Sequence, residues 1–270
     1  MSDKDKVFEG SVPEIYDTYL VPLIFQDFAD DLAKRVAALS PRAVLETAAG
    51  TGVVTRALTP RLADEASYVV TDLNQAMLDR AAKRQAADAR IVWRQADALN
   101  LPFEDRTFDV VFCQFGAMFF PDRVAGYREA RRVLKPGGRF LFNVWDRIEE
   151  NDFANLVTEA LAEVFPVDPP RFLARTPHGY HDTDHIHRDV TSAEFQEISI
   201  EARECKSPAP SARHAAIAYC QGTPLHGEIV ARDAASLESC TATAGEAIKR
   251  QFGDGAIAGK IRGFVVTARA

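Results

Sequence analysis

Val44-Leu45-Glu46-Thr47-Ala48-Ala49-Gly50-Thr51-Gly52 runs from apolar residues through an acid into a pair of glycines. Arg42 to Glu46 has the apolar, β-branched character of an interior parallel strand. Val53, Val54, Ala57, Leu58 and Leu62 then follow at the i, i+1, i+4, i+5 spacing of a helix's buried face. Gly50 and Gly52 lack a Cβ, so the backbone between strand and helix can take positive φ and let a ligand approach closely. The helix N-terminus beyond offers N–H groups with no partner inside the helix. Strand, glycine turn and helix in that order predict a cofactor site; the alternative is a tight turn that holds no ligand.

Glycine turns of this kind serve nicotinamide enzymes, flavoproteins and methyltransferases alike. The dinucleotide fingerprint G-x-G-x-x-G has its third glycine inside the helix and favours a pyrophosphate. Here Val53-Val54-Thr55 stands where that glycine is needed, and Glu46 precedes the turn. A carboxylate at that place repels a pyrophosphate and suits a cationic or amino-bearing ligand.

Further signals follow in order. Tyr68-Val69-Val70-Thr71-Asp72-Leu73 reads as a second strand. It ends in an acid about twenty residues after the turn, where a carboxylate can accept hydrogen bonds from ribose hydroxyls. The competing role for Asp72 is to cap a helix that starts near Asn74. Ile91 to Ala98 is a third strand closing on Asp97-Ala98, and by itself Asp97 reads as a turn residue. Phe108 to Gln114 is a fourth, nearly continuous in apolar residues as a strand covered on both faces must be. Gln114, Phe115 and Gly116 follow at its carboxyl end, where ligands collect in open α/β sheets. In Tyr127 to Phe140, Pro136 is expected to stop a helix and Gly137 and Gly138 to supply a left-handed turn. Phe140-Leu141-Phe142-Asn143-Val144 then enters the sheet.

With these neighbours, Glu46-x-Ala48-x-Gly50-x-Gly52 resembles motif I of the class I S-adenosylmethionine-dependent methyltransferases, written E/D-x-G-x-G-x-G, with Ala48 in place of the first glycine. That departure is expected to be mild, because alanine is disfavoured there only if the position needs positive φ. Leu134-Lys135-Pro136-Gly137-Gly138 resembles the family's most recognisable short string, and its part is structural. The nearest resemblance is to the branch of ubiquinone/menaquinone-biosynthesis-type enzymes with small-molecule acceptors. It implies an α/β fold: a Rossmann-like seven-stranded sheet, its last strand antiparallel, with helices on both faces and a helical cap. It also implies S-adenosyl-L-methionine as cofactor, with S-adenosyl-L-homocysteine as product. The residues expected to hold the cofactor are Glu46, Ala48, Gly50, Thr51, Gly52, Asp72, Leu73, Met77, Asp97, Ala98, Gln114 and Phe115. In the family, the acid equivalent to Asp97 accepts the adenine amino group and the next backbone N–H meets a ring nitrogen, roles that pass to Asp97 and Ala98.

The 270 residues, 47% hydrophobic, suffice for one large or two small domains. A net charge of -7 argues against a nucleic-acid substrate, since phosphates need a basic face. Arg128, Arg131, Arg132 and Lys135 read as a solvated helix face that complements the helix dipole. Cys113, Cys205, Cys220 and Cys240 are too scattered for a zinc knuckle or a disulfide framework. The polar start Met1 to Lys6 and the lack of a long apolar run lead to the expectation of a cytoplasmic protein without a membrane partner, monomeric or homodimeric.

Residues 1–40 are expected to form an N-terminal helical lid, 41–206 with 260–270 the cofactor domain, and 207–259 a helical cap. In the lid, Phe25, Phe28, Leu32, Val36 and Leu39 form an apolar stripe, Pro22 is placed to start the longer helix, and Tyr16 and Tyr19 either touch a ligand or pack. Asp152 to Phe165, Ala215 to Cys220 and Asp233 to Phe252 read as helices, and Phe195 to Arg203 and Ile261 to Arg269 as the last two strands. Four of the six histidines fall between His178 and His187. His181 and His185 have the spacing of a metal pair, but no second ligand group exists elsewhere, so no metal is expected. Alternatively His178, Tyr180 and His181 line a substrate cavity, or the segment is a solvated loop.

Methyl transfer from a sulfonium is an in-line displacement with a neutral leaving group, so the protein chiefly aligns and desolvates. An acceptor hydroxyl or acidic carbon needs a base. His178 and His181 are the candidates, with Tyr16 or Tyr19 orienting. Phe119, Phe120, Phe172 and Tyr180 suggest an apolar or aromatic acceptor. The rival functions are a catalytically silent S-adenosylmethionine-binding scaffold and a nicotinamide oxidoreductase.

Overall fold

A computed structural model describes residues 12–270. The first part of the expected lid, with the polar start, lies outside the described residues. Among the described residues there are seven strands: β1 (Ala43–Glu46), β2 (Ser67–Asp72), β3 (Ile91–Gln95), β4 (Phe108–Gln114), β5 (Leu134–Trp145), β6 (Gln196–Ala209) and β7 (Ile257–Arg269). They form one sheet in the order β3-β2-β1-β4-β5-β7-β6. β1 to β5 run parallel. β7 runs antiparallel to β5: the Gly137 N–H donates to the Ala270 carbonyl at 2.9 Å, and the Asp146 N–H to that of Arg262 at 3.1 Å. This is the expected class I sheet.

The chain divides into two compact units. The first comprises Gln26–Val144, His181–Arg203 and Phe264–Ala270. Its centre is the run of Val44, Leu45, Val110, Val111 and Phe112, all buried, as strands covered on both faces require. Burying one such side chain stabilises by about 1.5–3 kcal/mol. Helix Gln26–Ala38 buries Phe28, Leu32 and Val36, as its stripe predicts. Leu39 does not join them: the helix ends at Ala38, Ser40 turns left-handed at φ 50, and Leu39 is exposed.

Helix Arg123–Val133 gives way to β5 when Leu134 turns extended, two residues before Pro136. The proline therefore lies beyond the stop it was expected to make. Only Gly137 is left-handed, at φ 79. Gly138 is needed for closeness: a Cβ there would lie 2.9 Å from the Lys135 carbonyl oxygen and 3.0 Å from that of Asp109.

The second unit comprises residues up to Phe25, Trp145–Tyr180 and Glu204–Gly263. Its helices are Asp152–Val164, Phe172–Arg175, Ala212–Gln221, Leu225–Arg232 and Leu237–Phe252, with a π-helix over Tyr16–Phe25. Helices Ala212–Gln221 and Leu237–Phe252 pack together, with Gly245 against Ala216. Pro22 sits inside the π-helix instead of starting a helix. A proline has no N–H to give, and a widened turn is where a helix can accommodate that loss. The boundary between the compact units falls at Phe25/Gln26, and Trp145–Tyr180 groups with Glu204–Gly263. No helix among the described residues is long and apolar enough to cross a membrane.

Candidate cofactor site

The carboxyl edge of β1, β2 and β3 is tied together by backbone and one side chain. The Gly50 N–H donates to Oδ2 of Asp72 at 2.8 Å, and the Asn74 N–H to Oδ1 at 2.8 Å. The Ala49 N–H donates to the Thr71 carbonyl and the Ala96 N–H to the Asp72 carbonyl, each at 3.0 Å. Burial raises the Asp72 pKa, and the amides of Asn74, Gly50 and Leu73 oppose that rise. A carboxylate has about four lone-pair sites, so each oxygen keeps capacity for a ribose hydroxyl. The helix-cap role belongs to Asn74, whose side chain accepts from the Ala76 N–H.

The turn is left-handed at three places, Ala48 (φ 52), Gly50 (φ 57) and Gly52 (φ 77). Ala48 therefore occupies a backbone region that costs an L-residue about 1–2 kcal/mol, and the replacement of glycine is not mild. Its methyl is accommodated by Gly116, where a Cβ would stand 2.4 Å from the Ala48 Cβ and 2.7 Å from Sγ of Cys113. A Cβ at Gly52 would likewise stand 2.9 Å from the Ala81 Cβ. Thr51 is buried between the two glycines, and its hydroxyl has no partner among the described residues. An orphaned hydroxyl in a glycine cradle beside a carboxylate fits a polar ligand such as an adenosyl group.

Asp97 is exposed and forms a turn: Oδ1 accepts from the Leu99 N–H at 2.9 Å and its carbonyl from the Asn100 N–H at 3.0 Å. Ala98 follows half-buried. Leu73, 50% exposed, offers an apolar surface beside Asp72. Gln114 is half-buried at the end of β4, and Phe115 is buried and left-handed (φ 51), its ring T-shaped to that of Phe28 with centroids 5.0 Å apart.

Two expected contacts face inward. Met77 lies with Leu78 and Ala81 on the buried face of helix Gln75–Arg84. Glu46 is 1% exposed, and its Oε2 accepts from the Thr55 hydroxyl at 2.6 Å and from the Tyr68 hydroxyl. Burial raises its pKa to about 7 against those two bonds. Glu46 is a tie between β1, β2 and helix Val53–Leu58, not a free charge for a ligand. Its partners were missed in the sequence; the signal was Thr55, polar on an otherwise apolar helix face.

In the second unit, His178 is buried, with Nδ1 2.8 Å from the Asp146 carbonyl oxygen and 3.5 Å from Nδ2 of Asn151. The carbonyl can only accept, so Nδ1 carries the proton and Nε2 is the basic nitrogen. The Tyr16 ring packs tilted against Phe25, centroids 5.4 Å apart, and the Tyr19 ring against His214, centroids 4.6 Å apart. His181 belongs to the first unit and is exposed, one residue before Asp182, the cap of helix Thr183–Ser192. The two histidines are thus assigned to different units. Within that helix His185 pairs with Asp189 at 3.5 Å, and among the described residues no group of three or more His, Cys, Asp or Glu could hold a metal.

A family model described as a methyltransferase domain matches residues 45–142. A demethylmenaquinone methyltransferase of Clavibacter sepedonicus is 39% identical over 108 residues, 40% of this chain and 43% of its own length. That of Corynebacterium kroppenstedtii is 33% identical over 164 residues, 57% of this chain and 68% of its own. The chain thus spans less than half of the first relative and about two thirds of the second. Among solved structures, a Haemonchus contortus phosphoethanolamine N-methyltransferase in complex with S-adenosyl-L-methionine has the same fold. Its TM-score is 0.62 at 16% identity, covering 100% of this chain and 60% of that one. With motif I, the strand order, the matched domain and the Corynebacterium relative in agreement, the chain belongs to the class I S-adenosylmethionine-dependent methyltransferases.

Proposed function

We propose that the chain transfers a methyl group from S-adenosylmethionine to a small-molecule acceptor, by O-, C- or N-methylation. The carrying observation is the Gly50–Asp72–Ala96 link, which brings the glycine turn, the acid of β2 and the approach to Asp97 onto one sheet edge. Asp72 would accept the ribose hydroxyls, Asp97 and Ala98 the adenine edge, and the Thr51 hydroxyl a polar atom at the turn. When bound, the cofactor supplies a methyl group activated by its sulfonium. Alignment by the chain can then contribute roughly 7–11 kcal/mol toward the barrier.

Where the acceptor gives up a proton, His178 is the base. The Asp146 carbonyl holds its Nδ1 proton and so sets its tautomer, and Tyr16 of the same unit is its proposed orienting hydroxyl. An apolar or aromatic acceptor is supported by relatives named for demethylmenaquinone methylation. The test is uptake of labelled methyl from S-adenosylmethionine into demethylmenaquinol and into a metabolite extract. Labelled product is expected; a protein that binds the cofactor and labels nothing is a scaffold instead.

A further inference from the structure

β5 enters the sheet as Phe140-Leu141-Phe142-Asn143-Val144, one amide in an apolar run. Asn143 is fully buried, and neither Nδ2 nor Oδ1 has a partner among the described residues. Buried polar side chains are nearly always hydrogen-bonded, and each orphaned group costs about 1–3 kcal/mol. An amide with both ends unpaired therefore calls for a partner that the chain itself does not supply.

Its direction follows from register. Phe140 and Phe142 face the helix of Tyr127, with ring centroids 5.6 and 5.0 Å from it. Alternate residues of a strand point to opposite faces, so Asn143 points the other way. It is level with Gln114, its partner on β4, and its carbonyl accepts from the Phe115 N–H at 3.1 Å. Asn143 thus stands at the carboxyl end of β4, inside the first unit.

The strand order says which ligand reaches it. β1 lies between β2 and β4, so the chain order reverses there, and ligands bind in the crevice at such a switch point. Asp72 and Asp97 belong to the β2 and β3 side. A cofactor with its sugar and base there leaves the β4–β5 side to the methyl acceptor. We infer that Asn143 holds the acceptor through a neutral hydroxyl-bearing group, phenolic or enolic, donating from Nδ2 and accepting at Oδ1; this rests on the proposed methyltransferase function. A hydroxyl both donates and accepts, so it satisfies both amide atoms. A carboxylate or phosphate would satisfy Nδ2 alone and face Oδ1 with like charge; an ammonium would satisfy Oδ1 alone. A neutral amide cannot offset the burial of either charge.

The test uses 1-naphthol as probe, with 1-naphthoate as its anionic counterpart, on full-length protein saturated with S-adenosylhomocysteine. Calorimetry is expected to show 1-naphthol binding and 1-naphthoate not binding. Asn143→Leu should weaken 1-naphthol at least about tenfold while S-adenosylhomocysteine affinity stays within about twofold. A crystal of the wild-type ternary complex needs no variant and should place the naphthol oxygen within hydrogen-bond distance of both amide atoms. Equal naphthol affinity in the leucine variant, no naphthol binding, or ordered water alone on Asn143 overturns the assignment. Failure of S-adenosylhomocysteine itself to bind would instead remove the underlying function.

Discussion

The Gly50 amide donates to Oδ2 of Asp72 at 2.8 Å, so the residue expected to grip the ribose also holds the glycine turn in shape. Asp72→Ala removes both effects at once. A hydrogen bond to a charged group contributes about 1.5–3 kcal/mol, so S-adenosylmethionine affinity should fall at least about tenfold in calorimetry. Asp72→Asn should be nearly as harmful, because its NH2 must face either the Gly50 or the Asn74 donor.

Ala48 and Gly116 form a second pair. Ala48→Gly relieves a left-handed alanine and should stabilise the protein by about 0.5–1 kcal/mol in denaturant unfolding. Gly116→Ala forces a methyl to within 2.4 Å of the Ala48 Cβ, an overpacking expected to cost about 1–3 kcal/mol. The double variant should regain part of that loss, with the Cys113 Sγ contact keeping the rest.

Glu46 gives the fold a pH dependence. Its folded pKa of about 7 lies above the ordinary 4.5, so the folded state keeps a proton that the unfolded chain releases. The stability this contributes is fully present below about pH 4.5 and is lost as pH rises through about 7. Between those limits the loss is about 2–3 kcal/mol. Glu46→Gln cannot ionise, and its carbonyl can still accept from Thr55 and Tyr68. Unfolding measured from pH 4.5 to 8 should show the decline in the wild type and its absence in the variant.

The histidines should separate in turnover. With a proton-bearing acceptor, His178→Ala should lower kcat by roughly 10²–10⁴-fold and leave cofactor affinity unchanged. His181→Ala, at an exposed position, should alter neither. Wild-type turnover in both variants would remove the base.

The sheet was legible because its signals are local. Apolar strands ending in Glu46, Asp72 and Gln114 carry their own pattern, and the glycine turn marks where the first stops. Directions of side chains were not legible. Glu46 looked like a charge offered to a ligand, but its partners Tyr68 and Thr55 come from two other elements, brought to it only by the parallel register. Ala48 looked harmless because φ cannot be read from a side chain. The division at Phe25/Gln26 was hidden because an uninterrupted helical pattern passes through it, and a π-helix absorbs the proline that seemed to mark a start.

Titration of S-adenosylmethionine into the purified protein, beside NADH as control, is the most direct measurement. Saturable one-to-one binding of S-adenosylmethionine that Asp72→Ala weakens at least about tenfold is expected, with no heat from NADH. Binding of NADH without S-adenosylmethionine, or S-adenosylmethionine binding unchanged by Asp72→Ala, would contradict it.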